Sequence, residues 1–166
     1  MKSKIFDCIT FFRENFISNI RFEILNFAVD YFVVCESKYD HNGNRKKLNF
    51  KLKNHIFTDK VIYIVLKEPF PNNLQDGWSR QAYQRDFMLF KLKQLNQIKL
   101  DDYVMFSDPD EIPNPDILKN FNLKKKYGIF LQKHFVYKFN LYNSYDTPWE
   151  GTRICRFRDL KSIDYM

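Results

Sequence analysis

Apolar positions in this chain fall into short dense runs, separated by stretches in which they recur at helical spacing. Ile5 to Phe12 is almost unbroken and predicts a first strand. Behind it, Phe16, Ile17, Ile20, Ile24 and Leu25 recur at helical spacing, while Arg21 and Glu23 take other faces. Tyr31 to Cys35, β-branched and aromatic, predicts a second strand that ends in Glu36 and Ser37. Asn42-Gly43 marks a turn in the polar stretch that follows. Val61 to Leu66 predicts a third strand, closed by the proline-bearing KEPFPNN. A long helix is predicted from about Gln75 to Asn96, and Tyr103 to Phe106 reads as a fourth strand. No repeat or linker interrupts the pattern, so residues 1 to 166 read as one domain.

Strands that are apolar on both faces and alternate with helices imply an α/β architecture, a mostly parallel sheet flanked by helices. Ligands of such sheets bind beyond the carboxyl ends of the strands. That rule points to Phe11, Arg13 and Glu14, to Glu36 and Ser37, and to the residues after Phe106.

After Phe106 the apolar run stops in SDPDEIPNP. Pro109 and Pro113 bias Asp108 and Ile112 towards extended backbone, and Asn114-Pro115-Asp116 then reads as the start of a short helix. In an extended chain, residues two apart share a side, so Asp108 and Asp110 converge while Glu111 faces elsewhere. Two carboxylates held together repel, and a proton, a basic side chain or a cation must relieve them. Oxygen ligands alone select a hard ion such as magnesium or manganese, often completed by substrate phosphates. A solvated acidic turn is the plainer alternative.

On the long helix, Trp78, Ala82, Leu89 and Leu92 fall within about 40° of one direction at 100° per residue, with Arg85 in the middle of that stripe. An arginine there needs an anion: Asp108, Asp110, Glu36 or a ligand diphosphate. The alternative is an arginine near a helix end that snorkels to solvent.

Composition narrows the options further. With 45% apolar residues in 166, the chain can bury one sizeable core. No run approaches the roughly 18 to 20 apolar residues of a membrane-spanning helix. The opening MKSKIFDCITFF holds Asp7 and runs into Arg13 and Glu14 rather than a small-residue cleavage site, so a cytoplasmic location is expected. Cys8, Cys35 and Cys155 lack C-x-x-C spacing and read as small buried apolar side chains. The net charge of +7 is scattered, with runs only at Arg45 to Lys53 and Lys124 to Lys126. It suits an anionic ligand such as a sugar nucleotide as well as it suits nucleic acid, and no nucleic-acid partner is expected. His41, His55 and His134 read as loop or surface histidines.

The stretches KIFDCITFFRENFISNIRFEIL, VDYFVVCES, RQAYQRDFM, VMFSDPDEIP and WEGTRICRFRDLKS, in that order, resemble glycosyltransferase family 17 over nearly the whole chain. The resemblance implies a GT-A fold, a UDP-sugar donor (UDP-N-acetylglucosamine), a glycan or glycoprotein acceptor, inversion at the sugar, and a manganese or magnesium ion at a DxD. Asp108 and Asp110 match that DxD and would hold the metal. Phe11, Arg13, Glu14, Glu36, Ser37, Arg85 and Asp108 would face the donor, and Trp149 and Gly151 the acceptor. Family members continue into Gly-Trp-His and Ser-His-x-Glu segments, so a chain ending at Met166 reads as C-terminally shortened, and its animal relatives as membrane-anchored. Inverting transfer also needs a carboxylate base, for which Glu111, Asp146 and Glu150 all stand as candidates. A metal-dependent phosphoesterase or nuclease, or an inactive nucleotide-binding fragment, remains as an alternative.

Overall fold

The computed structural model describes residues 2–137 and 140–163. Among the described residues six strands and three α-helices follow one another: β1 (Ile5–Phe11), α1 (Asn15–Leu25), β2 (Tyr31–Ser37), β3 (Val61–Leu66), α2 (Gly77–Leu92), β4 (Tyr103–Ser107), α3 (Pro115–Leu118), β5 (Tyr127–Gln132) and β6 (Trp149–Arg156). They build a six-stranded sheet in the order β3-β2-β1-β4-β6-β5. β1 pairs parallel with both β2 and β4, and β2 with β3; β6 runs antiparallel to β4, and β5 to β6. The expected mostly parallel α/β sheet is what forms. β5 and β6 were not among the strands the sequence pattern predicts.

The three inner parallel strands β2, β1 and β4 carry near-continuous apolar sequence because both faces are covered, and β3 at the edge is partly buried. On one side Ile5, Ile9 and Phe11 of β1 join Phe22 and Leu25 of α1, Phe32, Val34, Tyr103 and Met105. On the other, Phe6 and Cys8 join Val33, Cys35, Val104 and Phe106 beneath Met88, Leu89 and Leu92 of α2. The alternation along β1 follows the two-residue period of a strand. It places Asp7 on the α1 side, between Ile5 and Ile9.

Both helices turn differently from the expected phases. On α1, Phe16 is 72% exposed and Ile24 is also exposed, while Ser18, Asn19, Arg21, Phe22 and Leu25 are buried. The expectation that Arg21 lies off the buried face is overturned, because the buried carboxylate of Asp7 supplies the counter-charge that lets it face the sheet. On α2, Trp78 is 82% exposed, and the buried face passes through Gln84, Met88, Leu89 and Leu92. The first turn of α2 lies beside the loop after β2, where Arg80 Nη1 donates to the His41 carbonyl at 2.9 Å, and Trp78 is left in solvent.

Strand order sets the position of the site. The chain passes from β1 outward through β2 and β3, then returns to place β4 on the other side of β1. β1 and β4 therefore flank the point where the winding reverses. In open α/β sheets that is where a crevice opens beyond the carboxyl ends.

Candidate active site

Residues 107–112 leave β4 at this reversal and form a tight turn. Glu111 N donates to the Asp108 carbonyl at 3.1 Å, and Ile112 N to that of Asp110 at 3.1 Å. Pro109 takes the second position, which its fixed φ favours. Asp108 and Asp110 are thus brought together by a turn rather than by the extended chain the sequence suggested. Asp108 is half-exposed and Asp110 exposed.

Two clefts meet at these carboxylates. One, of about 390 Å³, is bordered by Phe11, Glu14, Ser37, His41, Asp108 and Asp110, together with neighbours from β1, α2 and the loop after β2. The other, about 1130 Å³, is bordered by Asp108, Asp110, Glu111, His134, Phe135 and Trp149 and floored by apolar side chains of α3 and β5. The predicted edge, with Phe11 to Glu14, Glu36 and Asp108 to Asp110 at one end of the sheet, is present.

Not every residue expected there lines the cleft. Arg13 is exposed, with its guanidinium 4.9 Å from the Phe12 ring, and does not line the cleft. Glu14 folds back so that Oε2 accepts from the amides of Phe12 (2.8 Å) and Arg13 (2.9 Å). Ser37 Oγ accepts from Tyr39 N at 2.9 Å and fixes the turn of the loop. Glu36 is fully buried, and its carboxylate turns to the protein. It accepts from Lys46 Nζ, the amides of Asn49 (2.8 Å) and Phe50 (3.1 Å), and Tyr63 OH (2.6 Å). Its role is to anchor the 46–50 segment, a correction to its expected place among donor-facing groups. Burial, and then the bond to that carboxylate, raise the Tyr63 hydroxyl well above its ordinary pKa.

Arg85 does meet an acid. Its Nη2 lies 3.7 Å from Asp108 Oδ1, and its guanidinium stacks 4.9 Å from the Phe106 ring. The side chain is 19% exposed at the flank of the buried stripe. Asp108 and the Phe106 ring together hold the planar guanidinium beside the turn.

In the larger cleft, Trp149 Nε1 donates to Glu111 Oε1 at 2.6 Å, and the His134 ring stacks 4.8 Å from the indole. Glu111 Oε2 accepts weakly from Asp108 N at 3.3 Å. Asp146 and Glu150 border a separate shallow surface beyond Trp149, so Glu111 alone of the three candidate bases lines the larger cleft, next to the two aspartates that border both. Gly151 departs from its expected acceptor role. It is buried against β5, where a Cβ would overlap the Gln132 side-chain amide.

Three positions at the candidate site were not among the residues the sequence singled out for it. His134 and His41 each line a cleft, and His41 Nε2 lies 3.0 Å from Gln84 Oε1, whose Nε2 donates to Cys35 O. Arg21 is the third, held beneath the turn. Its visible signal was Asp7, an acid inside an otherwise apolar strand that had to have a partner.

For a divalent cation, the donor set fits. Asp108 and Asp110 offer oxygen ligands at an accessible turn, and among the described residues no group of three or more His, Cys, Asp and Glu side chains gathers. Two carboxylates suit a hard ion that draws its remaining oxygens from a diphosphate and water.

A carboxylate turn at the winding reversal of a mostly parallel sheet stands where α/β proteins of this architecture bind their ligands. The match to known proteins is narrower: the model of glycosyltransferase family 17 covers residues 1–164, and the chain belongs to that family. It is 34% identical over 119 residues to the beta-1,4-mannosyl-glycoprotein 4-beta-N-acetylglucosaminyltransferases of rat (Rattus norvegicus) and human (Homo sapiens). The aligned segment is 68% of this chain and 22% of each relative, so the chain spans about a fifth of their length. No solved structure gives a significant match. Among the described residues, no helix is long and apolar enough to cross a membrane.

Proposed function

We propose that this chain is a hexosyltransferase domain with a GT-A-like core that moves N-acetylglucosamine from a UDP donor to a glycan hydroxyl, with inversion and with the help of manganese or magnesium. The carrying observation is the Asp108–Glu111 turn, set where β1 and β4 part and shared by two clefts. Family membership and the names of the relatives support the sugar and the acceptor class.

In this reading the smaller cleft takes the UDP moiety, with Phe11 and Ser37 on its walls and Arg85 next to the diphosphate. Asp108 and Asp110 hold the cation, which when bound neutralises charge on the leaving diphosphate. The larger cleft takes the acceptor, offering the Trp149 face to a sugar ring. Glu111 accepts the proton of the attacking hydroxyl. The acceptor oxygen bonds to the anomeric carbon as the bond from that carbon to the phosphate oxygen breaks, and UDP departs with the electron pair. Trp149 Nε1–H holds one oxygen of Glu111 in place, and the carboxylate keeps lone pairs for the incoming proton.

Calorimetric titration of UDP tests this. Binding is expected with manganese or magnesium present and lost on chelation, and Asp110→Asn should weaken it by about tenfold or more, since few protein oxygens make the site. Glu111→Gln should keep UDP binding within a few-fold yet lower transfer by about 100-fold or more. Equal UDP affinity with and without metal would return the turn to a solvated acidic loop.

A further inference from the structure

We propose that Arg21 is a positioning residue for the carboxylate turn, a buried clamp that holds the cation ligands in their binding geometry before any ligand arrives. The proposal rests on the reading of that turn as the metal and diphosphate end of the donor cleft.

The guanidinium spends all five of its N–H groups, and three of them go to the turn. Nε and Nη2 grip Asp7 Oδ2 and Oδ1 at 2.7 Å each. Nη2 also donates to Ser107 Oγ at 2.8 Å. Nη1 donates to the carbonyls of Glu111 at 2.9 Å and, more weakly, Asp108 at 3.4 Å. Those carbonyls belong to the first and last residues of the turn, so one planar group fixes both of its ends. Thr152 Oγ1 adds a bond to the Glu111 carbonyl at 2.7 Å from β6. With its carbonyls drawn inward, the turn leaves the side chains of Asp108 and Asp110 bordering the clefts.

Arg21 does not act on the carboxylates mainly through its charge. Asp7 sits bidentate against it, both side chains are essentially inaccessible, and the pair is neutral overall. Stability alone is a poor reason for such a pair, because apolar residues of similar volume commonly serve as well. What apolar residues cannot supply is a rigid fork that fixes two carbonyls and a hydroxyl at once. A turn already ordered spares the ligand the entropy of ordering it.

The test separates positioning from folding by replacing the whole pair. In the double variant Asp7→Val, Arg21→Met the strand gains a β-branched residue between Ile5 and Ile9, and the helix keeps a side chain of similar length. Circular dichroism and thermal unfolding should report a folded chain, while UDP titration in the presence of manganese should show affinity lowered tenfold or more. Arg21→Lys should not rescue binding, since one ammonium cannot span the same acceptors. A folded double variant that binds UDP and manganese as tightly as the unaltered chain would overturn the proposal.

Hydrogen exchange on the unaltered, ligand-free chain supplies a second arm that needs neither a variant nor a ligand. The Glu111 and Ile112 amides should exchange at least 100-fold more slowly than an unstructured peptide, and exchange at exposed-loop rates would refute the clamp. Failure of the unaltered chain to bind UDP with metal would instead count against the donor reading, and the exchange result would still judge the clamp.

Discussion

At the scale of single residues, Glu36 and the cysteines show how burial decides what a reactive group can do. Glu36 ends β2 where a ligand-facing acid was expected, yet four donors from Lys46, Asn49, Phe50 and Tyr63 occupy it inside the protein. Replacing it with glutamine leaves one acceptor oxygen and brings an amide against donors. Glu36→Gln should therefore cost about 2–4 kcal/mol, because buried donors lose their partner and Lys46 its counter-charge. Urea denaturation of the variant checks the figure; an unchanged midpoint would mean that the 46–50 segment is held by other contacts. Cys35 and Cys155 lie in the core, and burial pushes both thiols up to about 12. At pH 8 almost no thiolate exists in the folded chain, so iodoacetamide should label it about 100-fold more slowly than the urea-unfolded chain. Labelling at equal rates would show that these thiols are reached by local opening.

At the scale of elements, the parallel half of the sheet was legible and the antiparallel half was not. Ile5–Phe11, Tyr31–Ser37 and Tyr103–Ser107 are buried on both faces, Val61–Leu66 is partly buried at the sheet edge, and the dense apolar runs of all four announce them. In β5 and β6 exposed and buried residues mix, with Leu131 64% exposed, and a register shift falls between Ile129 and Leu131. No clean period survives such a bulge. The helices were legible in position but not in phase, because an arginine was counted as polar and a tryptophan as buried. Arg21 is buried because Asp7 of β1 pairs with it, and Trp78 is exposed because the first turn of α2 lies beside the loop after β2. The candidate site was legible through the strand-end rule and SDPDEIP. Gly151 was placed by its neighbour Trp149 rather than by the strand pairing that actually requires it. Adding a methyl group there must push the Gln132 amide away from Thr152 N, which donates to it at 3.1 Å. Gly151→Ala should cost about 1 kcal/mol for that lost bond. A denaturation midpoint equal to that of the unaltered chain would show that Gln132 finds another partner.

At the scale of the whole molecule, strand order makes one turn the shared border of two clefts with different chemistry. The smaller is built from β1, the loop after β2 and α2; the larger from α3, β5 and β6, with the aromatic side chains Trp149 and Phe135. Donor and acceptor in the proposed reaction would therefore contact different elements and meet at Asp108 and Asp110, with Glu111 on the acceptor side. Variants should divide in the same way. Arg85→Lys keeps the charge but loses the planar fork beside Asp108, and UDP affinity should fall several-fold. Trp149→Ala removes an aromatic face from the far cleft, and UDP affinity with manganese should stay within about twofold, while the KM for a glycan acceptor rises by about tenfold or more, in proportion to a lost stacking surface. Calorimetry with UDP and acceptor-dependent transfer by the protein read the two effects separately. If Trp149→Ala weakened UDP binding as much as Arg85→Lys does, the clefts would be one site, and the assignment of the larger one to the acceptor would fall.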